Sequence, residues 1–142
     1  MGKNIKNFSD SVIVKYSEIH GSGIFTTEDI PAKAPILIIE GDVISTDEAV
    51  RRECEEGNVY IFWNGDVCID TVRSEKIKYI NHSCSPNCRV LGRSKKSLKL
   101  VSIGKIQDGE ELTIDYAYDE IYEHCNCSKC SSKRSVQEKQ IL

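Results

Sequence analysis

Asn81-His82-Ser83-Cys84-Ser85-Pro86-Asn87-Cys88 crowds two amides, an imidazole, hydroxyls and thiols around a proline. Neither a helical nor a strand period asks for that order, and the flanking Tyr79-Ile80 and Val90-Leu91 read as strand or core, so the block is placed for chemistry or metal binding. Two later blocks answer it. Glu111-Leu112-Thr113-Ile114-Asp115-Tyr116 carries a phenol at the end of a strand-like run, and Cys125-Asn126-Cys127-Ser128-Lys129-Cys130 gathers three thiols. Structural zinc takes four thiolate or imidazole ligands in a closed tetrahedron, and Cys125, Cys127 and Cys130 supply three. His124 stands beside them as an imidazole that can replace a thiolate.

The elements that position these blocks are short. Val12-Ile13-Val14, Gly23-Ile24-Phe25 and the β-branched run Pro35 to Glu40 read as three strands, the first two separated by a Gly-Ser-Gly turn. Ser45-Thr46-Asp47-Glu48 has capping-box spacing, which predicts a helix with Ser45 as N-cap, running through Ala49 to Glu56 and stopped by Gly57. Val59 to Trp63 and Val67 to Asp70, joined by Asn64-Gly65, predict an antiparallel hairpin. Leu98 to Ile103 is a further strand, and Gln107-Asp108-Gly109-Glu110 turns the chain into Leu112 to Tyr116. Many short strands with one modest helix make the chain mainly β.

Size and charge bound the rest. The 142 residues, with a formal net charge of −3, fit one domain and contain no run of twenty apolar residues, so neither a membrane span nor a surface for coating nucleic acid is expected. The N-terminus shows no apolar segment for secretion and no myristoylation signal, which points to an intracellular protein. The seven cysteines are odd in number, and C-x-C-x-x-C is too tight to staple distant segments, so reduced thiols with a metal role fit better than disulfides. Cys54, Cys68 and Cys88 read as ordinary buried or half-buried thiols.

In the order in which its motifs fall, the chain resembles the SET-domain protein lysine methyltransferases. His20-Gly21-Ser22-Gly23-Ile24-Phe25 is similar to the family's glycine turn, followed by Tyr60-Ile61-Phe62, Asp70-Thr71, the N-H-S-C-x-P-N block, G-E-E-L-T-I-D-Y at 109–116 and the cysteine cluster. The likeness covers roughly residues 11–131. It implies a β-clip SET fold, with small curved antiparallel sheets, few short helices, a threaded pseudoknot near the C-terminus and a zinc-bound post-SET segment. The division it implies is an N-terminal arm at 1–10, in which Phe8 can dock locally, a SET domain at 11–118, a post-SET segment at 119–131 and a tail at 132–142.

The resemblance also implies a reaction: transfer of a methyl group from S-adenosylmethionine to a lysine ε-amine, most naturally on a histone tail. The amine must be neutral, aligned and shielded from water, which a narrow aromatic channel provides. Tyr116 corresponds to the catalytic tyrosine and Tyr60 to a channel tyrosine on the opposite wall. Gly21, Ser22, Gly23, Asn81 and His82 correspond to the cofactor positions. For Gly21 to Gly23 a plain hairpin turn is the competing reading, and for His82 a purely structural hydrogen bond.

Cys84 corresponds to the fourth zinc ligand, with Cys88 as its main rival. The C-x-C-x-x-C spacing departs from the commonest post-SET pattern and is similar to the branch of SET enzymes that also carry a MYND finger, which this chain lacks. Asp108, Glu110, Glu111, Asp115, Asp119, Glu120 and Glu123 form an acidic region that suits a basic peptide. The partner implied is a histone tail or another basic protein, and the location is nuclear in a eukaryote. Ile114 stands where relatives often bear an aromatic residue, which implies room for more than one methylation. The competing reading is a catalytically silent SET-like module that binds peptide and uses zinc only for shape.

Overall fold

The structure is a computed structural model that describes residues 8–19 and 21–116. The cysteines at 125, 127 and 130, the acidic residues at 119, 120 and 123, the post-SET segment and the tail lie outside the described residues, as do His20 and His124. A 3₁₀ turn at Phe8–Ser11 leads into β1 (Val12–Tyr16), β2 (Ser22–Thr26), β3 (Pro35–Ile39) and β4 (Asp42–Ser45), then α1 (Thr46–Glu56) and β5 (Ile61–Asn64). After β6 (Val67–Asp70) a second 3₁₀ turn at Ile77–Tyr79 precedes β7 (Asn81–His82), β8 (Cys88–Ser94), β9 (Ser97–Ser102) and β10 (Glu111–Ile114). The architecture is mainly β, as the run of short apolar segments predicts.

Three small sheets share the work: β1-β2-β10-β7, β3-β9-β8 and β4-β6-β5. All pairings are antiparallel except β7 with β10, which run parallel and align Asn81 with Thr113 and His82 with Ile114. That pairing brings the first two blocks of the sequence side by side. The expected threaded junction concerns how the chain continues past these strands, and those residues lie outside the described set.

One apolar cluster unites the first two sheets and takes in Ile69 of the third, with Ile24, Ile30, Ile39, Ile69, Leu100, Ile106 and Leu112 inaccessible to water. Burying each such side chain contributes about 1.5–3 kcal/mol, so the strands are held by their shared interior more than by their own short ladders. Phe8 belongs to the same cluster at 6% exposure. The aromatic ring docks and carries the 3₁₀ turn with it.

The helix begins and ends where its caps predict. Ser45 Oγ accepts the Glu48 N–H at 3.1 Å, and Gly57 closes the helix in the left-handed region at φ 66°, its N–H donating to Arg52 O. Only Ala49 of α1 is buried, against a satellite cluster of Ile44, Ile61 and Cys68. Cys54 on the same helix is exposed, contrary to its reading as a buried thiol, because it lies off that single buried face. The hairpin forms as expected but one residue out of step: Asn64 pairs with Val67, so Gly65 and Asp66 make the turn. With a side-chain period of two, that step decides which faces of β5 look inward. The strand β4 had no counterpart in the sequence reading.

Candidate functional site

The parallel β7–β10 pair fixes the centre of the site. Ser83 N–H donates to Ile114 O at 2.9 Å, and the Tyr116 N–H donates to His82 Nδ1 at 3.0 Å. An Nδ1 that accepts a hydrogen bond leaves the proton of the neutral ring on Nε2, which faces Cys84 Sγ at 3.4 Å. His82 is 3% exposed, and its ring lies 5.3 Å from that of Tyr116 at a tilt of 51°. Its role in the geometry is to orient the backbone of Tyr116 and the thiol of Cys84, in line with the structural reading of this residue. The Tyr116 hydroxyl donates to Ile80 O.

Two cavities meet at this tyrosine. One, of about 250 Å³, is lined by Gly21, Ser22 and Asn81 together with Tyr60, Lys78, Tyr79, Ile80 and Tyr116. The other, of about 260 Å³, is lined by Tyr60, Phe62, Trp63, Ile77, Ile80, Ile114, Asp115 and Tyr116, among others. Tyr60 and Tyr116 are common to both walls. Of the residues predicted for cofactor contact, Gly21, Ser22 and Asn81 thus face the first cavity, while Gly23 and His82 are packed behind it. Gly21 has φ 44°, a left-handed conformation that glycine takes at no steric cost and that lets the turn present its backbone.

The tyrosine on the opposite wall is set by its own backbone. Tyr60 N–H donates to Asn58 Oδ1 at 2.8 Å, and Tyr60 O accepts from Thr71 N at 3.0 Å and Thr71 Oγ1 at 2.7 Å. Asn58 is in turn held through Nδ2 by Asp70 Oδ2 at 2.8 Å, and the same oxygen takes Arg52 Nη1 at 2.8 Å. Burial of Asp70 would raise its carboxyl, but the Val72 N–H, Arg52 and Asn58 outweigh this and hold it below the ordinary carboxylate value. Helix α1 is thereby tied to the channel wall through one buried carboxylate.

Not every residue of the N-H-S-C-x-P-N block faces the cavity. Asn87 donates through Nδ2 to Glu111 O at 2.8 Å and accepts the Thr113 N–H on Oδ1 at 2.9 Å, so its amide serves as a ladder partner for β10. Glu111, read as part of an acidic approach surface, points inward: it accepts from Ser17 Oγ at 2.7 Å and from Asn81 Nδ2 at 2.8 Å. Asp108 and Glu110 sit on the turn before β10, and of the acidic residues described only Asp115 borders the aromatic cavity. Trp63 and Lys78 join the walls without having been singled out in the sequence, and Phe62, quoted within Tyr60-Ile61-Phe62, had been given no role of its own.

For a metal, Cys84 is half-buried beside His82, and the other predicted ligands, Cys125, Cys127 and Cys130, lie outside the described residues. Among the described residues no three His, Cys, Asp or Glu side chains gather to hold an ion. Cys88 is fully buried in β8, and burial, only partly offset by the Thr113 N–H, pushes its thiol up to about 12.

The family model for the SET domain matches residues 21–117. The chain is 36% identical over 140 residues to the Drosophila virilis protein named histone-lysine N-methyltransferase trithorax, covering 91% of this chain and 4% of that protein. It is 33% identical over 138 residues to human histone-lysine N-methyltransferase 2D, covering 87% of this chain and 2% of the relative. The fission yeast Schizosaccharomyces pombe protein named histone-lysine N-methyltransferase, H3 lysine-4 specific, is 33% identical over 123 residues, or 78% of this chain and 13% of that one. The chain therefore spans a small fraction of the length of these curated relatives. No helix among the described residues is long and apolar enough to cross a membrane.

Proposed function

The chain belongs to the SET-domain family, and on that premise we propose that it is a protein-lysine N-methyltransferase acting on a histone tail or a similar basic peptide, with a nuclear site of action. The observation that carries this reading is the pair of cavities that share Tyr60 and Tyr116 as a common wall. One is bordered by a glycine turn and an Asn amide, suited to the charged and hydrogen-bonding groups of a small cofactor. The other adds Phe62 and Trp63 to the two tyrosines, rings suited to the aliphatic stem of a lysine.

S-adenosylmethionine, when bound, supplies an activated methyl group. Gly21, Ser22 and Asn81 are the residues that would hold it, with Gly23 and His82 supporting them from behind. Tyr116, fixed at its backbone by His82 and at its hydroxyl by Ile80 O, turns its phenol toward the common wall, where its oxygen can orient a lysine nitrogen. Tyr60 flanks the lysine stem from the other side, and the rings exclude water from the amine. Ile114 is 4% exposed and lines the aromatic cavity without a hydroxyl, which favours a pocket that accepts a methylated amine for a further round.

Zinc would be held by Cys84 with Cys125, Cys127 and Cys130, joining the post-SET segment at 119–131 to the SET domain at 11–118. The test is labelled methyl transfer onto a histone mixture under zinc-replete, reducing conditions, with mass spectrometry of the modified site. Incorporation that falls by at least about a hundredfold in Tyr116→Phe supports the reading. Cofactor binding with no transfer to any basic substrate would favour the silent peptide-binding module instead.

A further inference from the structure

Gly23 is buried in β2, and a Cβ at this position would stand 2.2 Å from Glu111 Oε2 and 3.0 Å from Asn81 Nδ2. Its φ is not among the positive values in the chain, so an alanine here would be conformationally ordinary. What demands glycine is that a carboxylate and an amide already fill the space. A nearest approach of that kind needs a reason, and the reason lies in what the carboxylate holds.

Glu111 opens β10, with its backbone opposite Phe25 of β2. Its Oε1 accepts from Ser17 Oγ at 2.7 Å, while Oε2 accepts from Ser17 Oγ at 3.0 Å and from Asn81 Nδ2 at 2.8 Å. Ser17 is 2% exposed and holds the entry to the turn: its Oγ accepts the Ile19 N–H at 3.0 Å, and its own N–H donates to Gly21 O at 2.9 Å. The exit is held by Asn81, whose Nδ2 also reaches Ser22 O at 3.0 Å. One side chain therefore gathers the start of the turn, its end, and the amide from β7.

The chemistry of the group matters. An ionised carboxylate only accepts, so both Ser17 and Asn81 must turn a donor toward it, and hydrogen bonds to a charge are shorter and about twice as strong as neutral ones. A glutamine would offer one oxygen and one NH₂, and so would face one of these donors with another donor. Asn81 is thereby fixed in a single amide orientation, with Nδ2 toward Glu111 and Ser22.

We infer that Glu111 is the positioning residue of the cofactor cleft: its carboxylate sets the shape of the 17–23 turn and the orientation of Asn81, and Gly23 is glycine to admit it. The inference rests on the reading of that cleft as the S-adenosylmethionine site.

The test uses the full chain, zinc-replete and reduced, with three readouts: hydrogen exchange of residues 17–23 without cofactor, calorimetric titration with S-adenosylmethionine, and steady-state constants for cofactor and peptide. Glu111→Ala is expected to speed exchange across 17–23 and to weaken cofactor binding about tenfold, raising KM for the cofactor while KM for the peptide stays put. Glu111→Gln should recover part of the loss. Gly23→Ala alone should act like Glu111→Ala, because the added methyl displaces the carboxylate. In the double variant the methyl enters vacated space, so the combined loss should fall well short of the product of the two single losses.

Should Glu111→Ala fail to fold, the Glu111→Gln and Gly23→Ala comparison carries the same prediction. Exchange at 17–23 that is unchanged in the Glu111 variants, or losses that multiply in the double variant, overturns the inference alone. A wild-type chain that takes up no S-adenosylmethionine overturns the cofactor reading and, with it, the assignment of Glu111 to a cofactor cleft.

Discussion

Glu111 and Asp70 each hold residues that border the cavities from behind: Glu111 holds Asn81 and the turn before Ser22, and Asp70 holds Asn58 and through it Tyr60. Their partners differ. Among the described residues Glu111, half-buried, accepts from the neutral Ser17 and Asn81, whereas the Asp70 side chain is 2% exposed and faces the Arg52 guanidinium as well as Asn58 and the Val72 N–H. A carboxylate fed by neutral donors fixes geometry with little at stake if it is lost. One that is buried and gathers several donors commits its neighbours, because truncation strips a partner from Asn58 and from the Val72 N–H, while Arg52 keeps Glu48 and Asp42.

The largest effect expected from this contrast is therefore at Asp70. Asp70→Ala should lower unfolding free energy by about 3 kcal/mol in a urea titration, and loosen Tyr60 by freeing Asn58. A loss below about 1 kcal/mol would erase the distinction between the two carboxylates. Glu111→Ala should cost less, about 1–2 kcal/mol by the same titration, since Asn81 keeps its bond to Ser22 O and the carboxylate lies nearer water.

The pH dependence sharpens the same comparison. Asp70 has its folded carboxyl held below the ordinary 3.8, so its contribution is fully present above that value and is lost as pH falls through the lower folded value. Wild-type stability should drop more steeply below pH 4 than that of Asp70→Asn, as read by thermal melts across acid buffers; equal slopes would count against a charged Asp70. The smallest effect belongs to Arg51. It pairs with Glu48, Glu55 and Glu56 on the solvent face of α1, and Arg51→Ala should leave the melting midpoint within scatter at physiological salt.

Helix α1 was legible because its signals are local: Ser45, Glu48 and Gly57 act within a few residues of one another. Most strands were legible for the same reason, through β-branched runs and turn residues, but β4 and β7 were not. The hairpin turn slipped by one residue because Asn64-Gly65 and Gly65-Asp66 are both good turn pairs, and the choice is made by the burial of Cys68, Ile69 and Asp70. The inward role of Glu111 was not legible, since its partner Ser17 lies far off in sequence and nothing in Glu110-Glu111 tells which carboxylate turns in. Asp70 as the anchor of Tyr60 was hidden likewise. Tyr60, Asn81 and Tyr116, by contrast, were picked from motif order, and they do line the cavities.

The seating of β10 between β2, to which it runs antiparallel, and β7, to which it runs parallel, has a consequence for synthesis. A growing polypeptide emits the glycine turn early and the N-H-S-C block midway, yet the strand that joins them, together with the carboxylate and the phenol it carries, leaves the ribosome last among these parts. Every shorter nascent chain owns half-built cavities, and they are completed in one step when β10 slots between its neighbours.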